Sequence, residues 1–568
     1  MAGALPRNAE VADQFDLLAD LLELEGAESF RVLAYRRAAQ RMRETSSSVA
    51  QLALDGRAKS LAGIGRTIEE KIVQIVEDGQ IEALAKRRDR VPADVVRFMR
   101  LPGLGPKTAA RIWQELGVTT LEELRAAAEG ERLRTLAGLG AKTEERILKA
   151  LAADRPREEF RPLLGVGLPA VQAAVAELRA HPAADLVSEA GSVRRRKETF
   201  RDLDIIATAT DPPALTAHFA GLPWVAEVAA HGDTKATVLS AAGLRFDLRV
   251  VPPECYGNLL QHFTGSKDHN VALREAAVKR GLSVSEYGVE TVETGEVFRT
   301  RDEGELYAYL GYQLIPPELR ENAGELEAAR AGELPALVEL DDLRGDLHMH
   351  TDWSDGKDTL EDMIEGARAL GHEYIAICDH VQRLREGKLE RQWEQIEYLN
   401  GRLAPFRIVR GVEVNIRADG SLDLADEVMA ACDWVMASLH VSFDRSPTER
   451  VLAAMENPHV DCIGHLTTRK INTRGPADVD VEKVIAKALE TGTFLEINSQ
   501  PDRLDLRDVH ARAAGEAGLK IVVSTDAHEL SALRWLELGI GQARRAWLTK
   551  EQILNTRPWP EVEQLLKR

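Results

Sequence analysis

A chain of 568 residues with 44% hydrophobic content has room for about three or four packed domains, each with a full core. No apolar run reaches the roughly 18 residues of a membrane helix, and the N-terminus has no signal-peptide pattern, which predicts neither a spanning nor a secreted protein. The net charge of −19 speaks against holding nucleic acid by bulk attraction alone. Most of the excess acid lies after residue 320, however, and basic runs such as Lys86-Arg87-Arg88 and Arg194-Arg195-Arg196-Lys197 remain before it. Four scattered cysteines, with no CxxC pair, read as buried thiols in a reducing compartment.

Residues 1 to about 150 have helical periodicity, with apolar positions at i, i+3 and i+4 broken by short glycine turns. Three segments share one pattern: LAGIGRTIEEKI at 61–72, LPGLGPKTAARI at 101–112 and LAGLGAKTEERI at 136–147. Each has two glycines one residue apart, as in Gly63/Gly65 and Gly103/Gly105, opening into an amphipathic helix. The glycines allow a tight turn, and the free N–H groups of a helix N-terminus attract an anion such as a DNA phosphate. A plain helix–turn–helix connection explains one copy as well; three copies in one register favour backbone contacts to DNA. The repeat resembles the helix-hairpin-helix motif.

From about 155 to 317 strands and helices mix. Gly191-Ser192-Val193-Arg194-Arg195 precedes Asp202-Leu203-Asp204, and a further strand, LRFDLRVV, presents Asp247. Two carboxylates two apart on a strand share a face and repel each other unless a cation lies between them. With Asp247 they form a set able to hold two Mg²⁺ or Mn²⁺ ions for phosphoryl transfer. Gly191 would let the backbone approach a triphosphate, and Ser192 and Arg195 would bond its oxygens. An isolated D-x-D is more often a solvated strand face; the Gly-Ser turn at this spacing is what favours a site.

GSVRRRKETFRDLDI, LRFDLRVVP and HFTGSKDHNVALREAAVKRGLSVSEYGV together resemble the palm and thumb of the family X DNA polymerases. The resemblance implies that Asp202, Asp204 and Asp247 bind metal and that Ser192 and Arg195 bind nucleotide phosphates. It further implies that Phe263 and Gly265 face the sugar, Asn270 the base edge and Arg274 the template. The chain departs from the pattern at His262, where Tyr is common, and at Arg201, where Gly is known. A lyase lysine is also implied, with Lys71 at the matching position. Glu69 and Glu70 would oppose the lowered pKa it needs, and a solvated helix face is its plainer reading.

Residues 318–342, rich in Glu, Ala, Leu and Pro, read as a linker with some helix. Beyond them, short apolar strands end in polar residues and alternate with helical stretches: DLHMHTDWSDG, IAICDH, IVRGVEVN, WVMASLH, CIGH, FLEINS and IVVSTDAH. This spacing predicts a seven-stranded βα barrel with its site at the strand C-termini. The candidate ligands are His348, His350, Asp355, His380, Glu413, His440, His465, Asp526 and His528. A lone buried histidine is usually a core residue; six of the chain's 14 histidines at one rim, among carboxylates, point to a metal cluster. Imidazole with carboxylate suits Zn²⁺ or Mn²⁺, and nine donors suit about three ions.

This half resembles the PHP (polymerase and histidinol phosphatase) domain, and the whole chain resembles bacterial family X polymerases with a fused PHP domain. The fold implied is multidomain: helical helix-hairpin-helix domains at 1–82 and 83–154, an α+β nucleotidyltransferase palm at 155–260 and a thumb at 261–317. A linker at 318–342 leads to the PHP barrel at 343–568. The function implied is filling of short gaps in gapped or nicked DNA from dNTPs. It is paired with a phosphoesterase on DNA ends: a 3′–5′ exonuclease, with an abasic-site endonuclease or 3′-phosphatase as further options. Such a protein is expected to be cytoplasmic, nucleoid-associated, monomeric and not membrane-bound. The alternatives are a small-molecule phosphoesterase with a vestigial polymerase module and a non-catalytic scaffold binding DNA ends.

Overall fold

The computed structural model describes residues 5–45, 48–61, 63–88, 90–99, 101, 104–136, 139–152, 161–384 and 387–567. The chain divides into two compact units, residues 1–160 and 161–568.

The first unit is helical. Among its described residues are α1 (Asn8–Leu24), α2 (Ser29–Glu44), α3 (Val49–Leu54), α4 (Arg66–Asp78), α5 (Glu82–Arg88), α6 (Ala93–Phe98), α7 (Pro106–Leu116), α8 (Leu121–Glu129) and α9 (Ala141–Ala152). Their apolar stripes, including Phe15, Leu22, Ile72, Phe98 and Ile112, share one core. The middle residue of each glycine repeat, Ile64, Leu104 or Leu139, is buried in that core. That anchor holds the turn while leaving Gly65, Gly105 and Gly140 exposed.

The second unit begins with a five-stranded sheet. After α10 (Leu164–Arg179) come β1 (Ala184–Glu189), α11 (Gly191–Arg194), β2 (Leu203–Ala209), α12 (Pro212–Ala220), β3 (Val225–His231), β4 (Lys235–Ser240) and β5 (Arg245–Val250). The order is β1-β2-β5-β4-β3, with only β2 and β5 parallel. Next come α13 (Tyr256–Thr264), α14 (Lys267–Val278), the small antiparallel sheet β6 (Leu282–Ser285), β7 (Gly288–Thr291) and β8 (Val297–Phe298), and α15 (Glu303–Tyr309). Helix α13 runs across position 260/261, where a palm–thumb boundary was expected.

The expected linker is not loose chain. It contains α16 (Glu325–Ala331), and Arg320 and Glu325 are fully buried. Arg320 Nη1 donates to Glu303 Oε1 at 2.7 Å, and Glu325 Oε1 lies 2.7 Å from His269 Nδ1. Both charged residues thus find buried partners outside the segment.

The third layer is the barrel. β9 (Gly345–Met349), β10 (Tyr374–Ile377), β11 (Arg407–Asn415), β12 (Trp434–Ser438), β13 (Cys462–Ile463), β14 (Phe494–Asn498) and β15 (Ile521–Ser524) form one parallel sheet in chain order. A parallel bridge from Met349 to Ala527 returns the last strand to the first. All four cysteines are buried thiols. Leu504 and Leu538 of the barrel enter the core of the five-stranded domain, and Arg469 pairs with Glu198 at 2.7 Å.

Glu303 joins α15 to both neighbours, accepting from Arg194 at 2.6 Å as well as from Arg320. Burial alone would raise its pKa, but the two guanidinium groups outweigh burial and hold it at about 2, below its ordinary 4.5. A depressed carboxyl contributes stability above pH 4.5 that is lost as pH falls through about 2. Glu303→Gln is therefore expected to cost about 3 kcal/mol at pH 7 in urea unfolding. The difference from the parent chain should shrink toward zero as pH approaches 2.

Candidate active sites

In the five-stranded domain, the parallel register of β2 and β5 sets Asp204 directly beside Asp247, and Asp202 immediately precedes β2. Burial, with the charges of Asp202 and Asp247, pushes Asp204 up to about 7. Arg249 and Arg195 pull the other way without overcoming it. Three converging carboxylates of this kind fit divalent ions. Asp247 is steadied by Arg245, at 2.8 and 3.0 Å, and by the Thr237 hydroxyl.

At Gly191, φ +64°, a Cβ would collide with Asp204 Oδ2, so the glycine makes room for that carboxylate. Ser192 follows in α11, and with Arg195 and Asp202 it lines a cavity of about 300 Å³ that Arg201 also borders.

The α13–α14 corner carries the remaining nucleotide candidates. Phe263 lies under the Arg249 guanidinium, 4.4 Å from ring centre to Cζ. Gly265, at φ +70°, ends α13, and Arg195 Nη1 donates to the adjacent Thr264 carbonyl. Asn270 and Arg274 are turned inward. Asn270 Nδ2 donates to the His262 carbonyl at 2.7 Å, its Oδ1 accepts from Gln261 at 2.8 Å, and Arg274 Nη2 lies 2.9 Å from His262 Nδ1. Burial pushes the His262 pKa down, so its ring stays neutral and accepts from Arg274.

The barrel rim brings all nine candidate donors together. His348 lies in β9, His350 and Asp355 follow it, and His380 follows β10. Glu413 lies in β11, His440 follows β12, His465 follows β13, and Asp526 and His528 follow β15. Glu413 is the hub, with His380 Nδ1 at 3.0 Å, His465 Nε2 at 3.3 Å, His440 Nε2 at 3.4 Å, and His348 and His350 Nε2 each at 3.7 Å. Asp526 Oδ1 is 3.2 Å from His350 Nε2, and Asp355 reaches His380 and His528 at 3.6 Å each.

Among the described residues three donor groups fall within metal-binding reach: His350/Asp355/His380/His528, His348/His350/Glu413 and His380/Glu413/His440. Glu413 Oε1, His350 Nδ1 and His465 Nδ1 are buried without a hydrogen bond. Buried polar atoms rarely go unpaired, and a cation would satisfy these. Burial, chiefly, drives His440 down to about 4, which leaves a neutral imidazole available as a ligand.

The sequence reading missed the residues that aim these donors. Glu496, buried in β14, sits 2.7 Å from His348 Nδ1 and accepts from the His465 backbone N–H at 2.6 Å. Asn415 Oδ1 bonds His440 Nδ1. Asp379 gathers Thr351 and Gln392, each at 2.6 Å. The visible signal was a glutamate inside the apolar strand FLEIN, where only a buried partner tolerates a charge.

In the first unit, Gly63 has φ +83°, and a Cβ on Gly63, Gly65 or Gly105 would meet nothing within 4 Å. Packing among the described residues does not require glycine at 65 and 105. Gly103 lies outside the described residues. Lys71 is half-buried on α4; its neighbours Glu69 and Glu70 are engaged by the Lys59 backbone N–H and by Arg66.

Family models match along the chain: a helix-hairpin-helix domain at residues 6–81 and a SAM-like helix-hairpin-helix tandem at 55–117 and 95–153. The DNA polymerase beta thumb matches at 259–321 and the PHP domain at 346–500. A nucleotidyltransferase of polymerase type joined to a PHP phosphoesterase barrel is the class that this fold and these two sites define. The chain is 38% identical over 564 residues to the DNA polymerase/3′-5′ exonuclease PolX of Bacillus subtilis, covering 97% of this chain and 98% of that protein. It belongs to that PolX family of divalent-metal enzymes acting on DNA and dNTPs. A probable phosphatase of Thermoanaerobacter sp. is 32% identical over 225 residues, 37% of this chain and 89% of its own. DNA polymerase lambda of Rattus norvegicus is 26% identical over 344 residues, 55% and 56% of the two chains.

A partner that orients a ligating histidine typically changes metal affinity by about 10- to 100-fold. Glu496→Gln is expected to lower the metal retained after dialysis by about that factor, read by elemental analysis, while Asp204→Asn leaves the barrel's metal content intact.

Proposed function

We propose that the chain is a DNA-repair enzyme that fills short gaps at the palm and trims 3′ ends at the barrel. The observation that carries the reading is the presence of two separate donor sets in one chain. One is a carboxylate triad on β2 and β5; the other is a nine-donor rim of imidazoles and carboxylates. Neither set fits a scaffold without turnover, and the intact triad speaks against a vestigial polymerase module.

In this reading Asp202, Asp204 and Asp247 hold two Mg²⁺ or Mn²⁺ ions, and the rim donors hold about three Zn²⁺ or Mn²⁺ ions. When bound, these ions lower the pKa of the attacking hydroxyl or water and neutralise charge on the leaving oxygen. The protein's own groups do the rest. Ser192 and Arg195 hold the triphosphate, while Phe263 and Gly265 stack against the sugar. Asn270 and Arg274 leave His262 to meet the base edge and the template. The exposed turns at Gly63, Gly65 and Gly105, with Gly103 of the same sequence pattern, contact DNA phosphates on both sides of a gap.

The barrel activity is a 3′–5′ exonuclease, extended to 3′-phosphate or abasic ends where the same scissile phosphate is presented. Base excision repair is the pathway this pair of activities suits. A monomer in the cytoplasm, working at the nucleoid, is the state in which we expect it to act. No helix among the described residues is long and apolar enough to cross a membrane.

Two single variants on one gapped duplex separate the sites. Asp204→Ala is expected to lose primer extension by about a thousandfold or more while 3′ resection continues. His440→Ala should show the reverse. Both activities falling together in both variants would sink the two-site reading. For the lyase option, Lys71→Ala should abolish borohydride trapping of a 5′-deoxyribose phosphate end; full trapping by that variant removes Lys71 from the site.

A further inference from the structure

The guanidinium proposed above to hold the triphosphate is tied to the barrel through one carboxylate. Arg195 Nε donates to Glu321 Oε1 at 3.1 Å, and Arg545 Nη1 of the barrel donates to the same oxygen at 3.0 Å. Lys197 Nζ stands 3.6 Å from it. Arg545 is fixed independently: it donates twice to Asp508 Oδ2, at 2.6 and 3.0 Å, and once to the Arg195 carbonyl at 2.9 Å. Its side chain is 4% exposed.

These groups wall the cavity beside the triad. Ser192, Arg195 and Asp202 line it from the palm, and Arg507, Gln542 and Arg545 line it from the barrel. Arg507 faces the same cavity, where its charge acts on Asp508, and the acidic Glu198 and Asp202 border it as well.

Arg195 gives its Nε to Glu321 and its Nη1 to the Thr264 carbonyl, so a two-pronged grip on a triphosphate requires it to release Glu321. Turning away would strand a largely buried carboxylate, and an uncompensated buried charge is strongly destabilising. Burial alone would lift the Glu321 pKa, but Arg545, Lys197 and Arg195 outweigh it and hold it at about 2, so the group is a full anion at neutral pH. Asp508 keeps Arg545 in place, and Arg545 goes on neutralising Glu321 when Arg195 leaves.

We propose that Arg545 is a positioning residue for the polymerase reaction: it retains Glu321 as Arg195 turns to the triphosphate of the incoming nucleotide. Nucleotide affinity at the palm then depends on the barrel, through a carboxylate shared between Arg195 and Arg545. The proposal rests on the reading of Arg195 as a triphosphate ligand.

Single-nucleotide insertion on a gapped duplex by the full-length chain tests it. Arg545→Met should raise the KM for dNTP about tenfold with kcat within about twofold, because Glu321 then keeps Arg195. Adding Glu321→Gln to that variant should bring KM back to within about threefold of the parent value, a rescue that a merely structural role for Arg545 does not provide. An unchanged KM in Arg545→Met, or a double variant no better than the single one, overturns the proposal. Arg195→Ala with unaltered kcat/KM would instead overturn the reading of Arg195 itself. If melting shows that Arg545→Met does not fold, Glu321→Gln alone decides. It should lower the KM for dNTP about two- to threefold by freeing Arg195, and an equal or higher KM refutes the coupling.

Discussion

Repulsion among carboxylates organises this molecule. The parallel pairing of β2 with β5 places Asp204 beside Asp247, with Asp202 one residue before the strand, and among the described residues no side-chain hydrogen bond relieves Asp204. Everything near the triad answers that concentration of charge. Gly191 gives up its side chain to admit the Asp204 carboxylate. Arg245 takes hold of Asp247, and Arg249, stacked on Phe263, offsets part of the field. A site tuned this way is stable enough to fold yet left short of positive charge, and a divalent ion supplies it.

The barrel solves the same problem with other side chains. Its hub, Glu413, is surrounded by five imidazoles and sits at the bottom of the rim, where no water-facing carboxylate cluster would be tolerated. Imidazole brings donor atoms without bringing charge, so nine donors can share a small volume. The cost moves outward to residues that aim the rings. Glu496 and Asn415 set the faces of His348 and His440, and Ser524 in turn donates to Glu496 at 2.6 Å. Palm and rim therefore differ in chemistry because they differ in donors: an all-oxygen set suits hard, hydrated ions, and mixed nitrogen and oxygen donors suit borderline ones.

Legibility in the sequence follows the range of the interaction. The seven barrel strands and their ligand-bearing ends could be read because each strand announces itself within a few residues. The three acids were visible as candidates because Asp202 and Asp204 lie two apart at the start of one strand and Asp247 lies on an equally plain one. Glu496 could not, since its meaning depends on His348, 148 positions earlier, closing against it. The segment at 318–342 reads as a linker from its Glu, Ala, Leu and Pro content, because the partners of Arg320 and Glu325, Glu303 and His269, lie outside it. Asn270 and Arg274 show a related limit. Their spacing along α14 was visible, but the hold that His262 has on both belongs to the α13–α14 corner. Gly191 was recognised as a glycine that matters, and only its neighbour across the sheet shows why.

The packed connector also bears on why the two catalytic modules share a chain. A flexible tether would raise local concentration and do nothing else. Here the connector is part of the fold. Arg320 joins Glu303 of α15, Glu321 sits between Arg195 and Arg545, and Glu318 takes Arg544 at 2.9 Å. Three consecutive stretches of sequence thus meet in one set of buried ion pairs, and such pairs are costly to break singly. Leu504 and Leu538 add apolar contact from the barrel to the palm core, so the domains are held by burial as well as charge. Removing the barrel would expose that apolar surface and leave Glu321 and Arg195 paired only with each other and Lys197. The palm of this protein is on these grounds not a free-standing polymerase with an appendage, but one side of a single structure whose other side is the barrel.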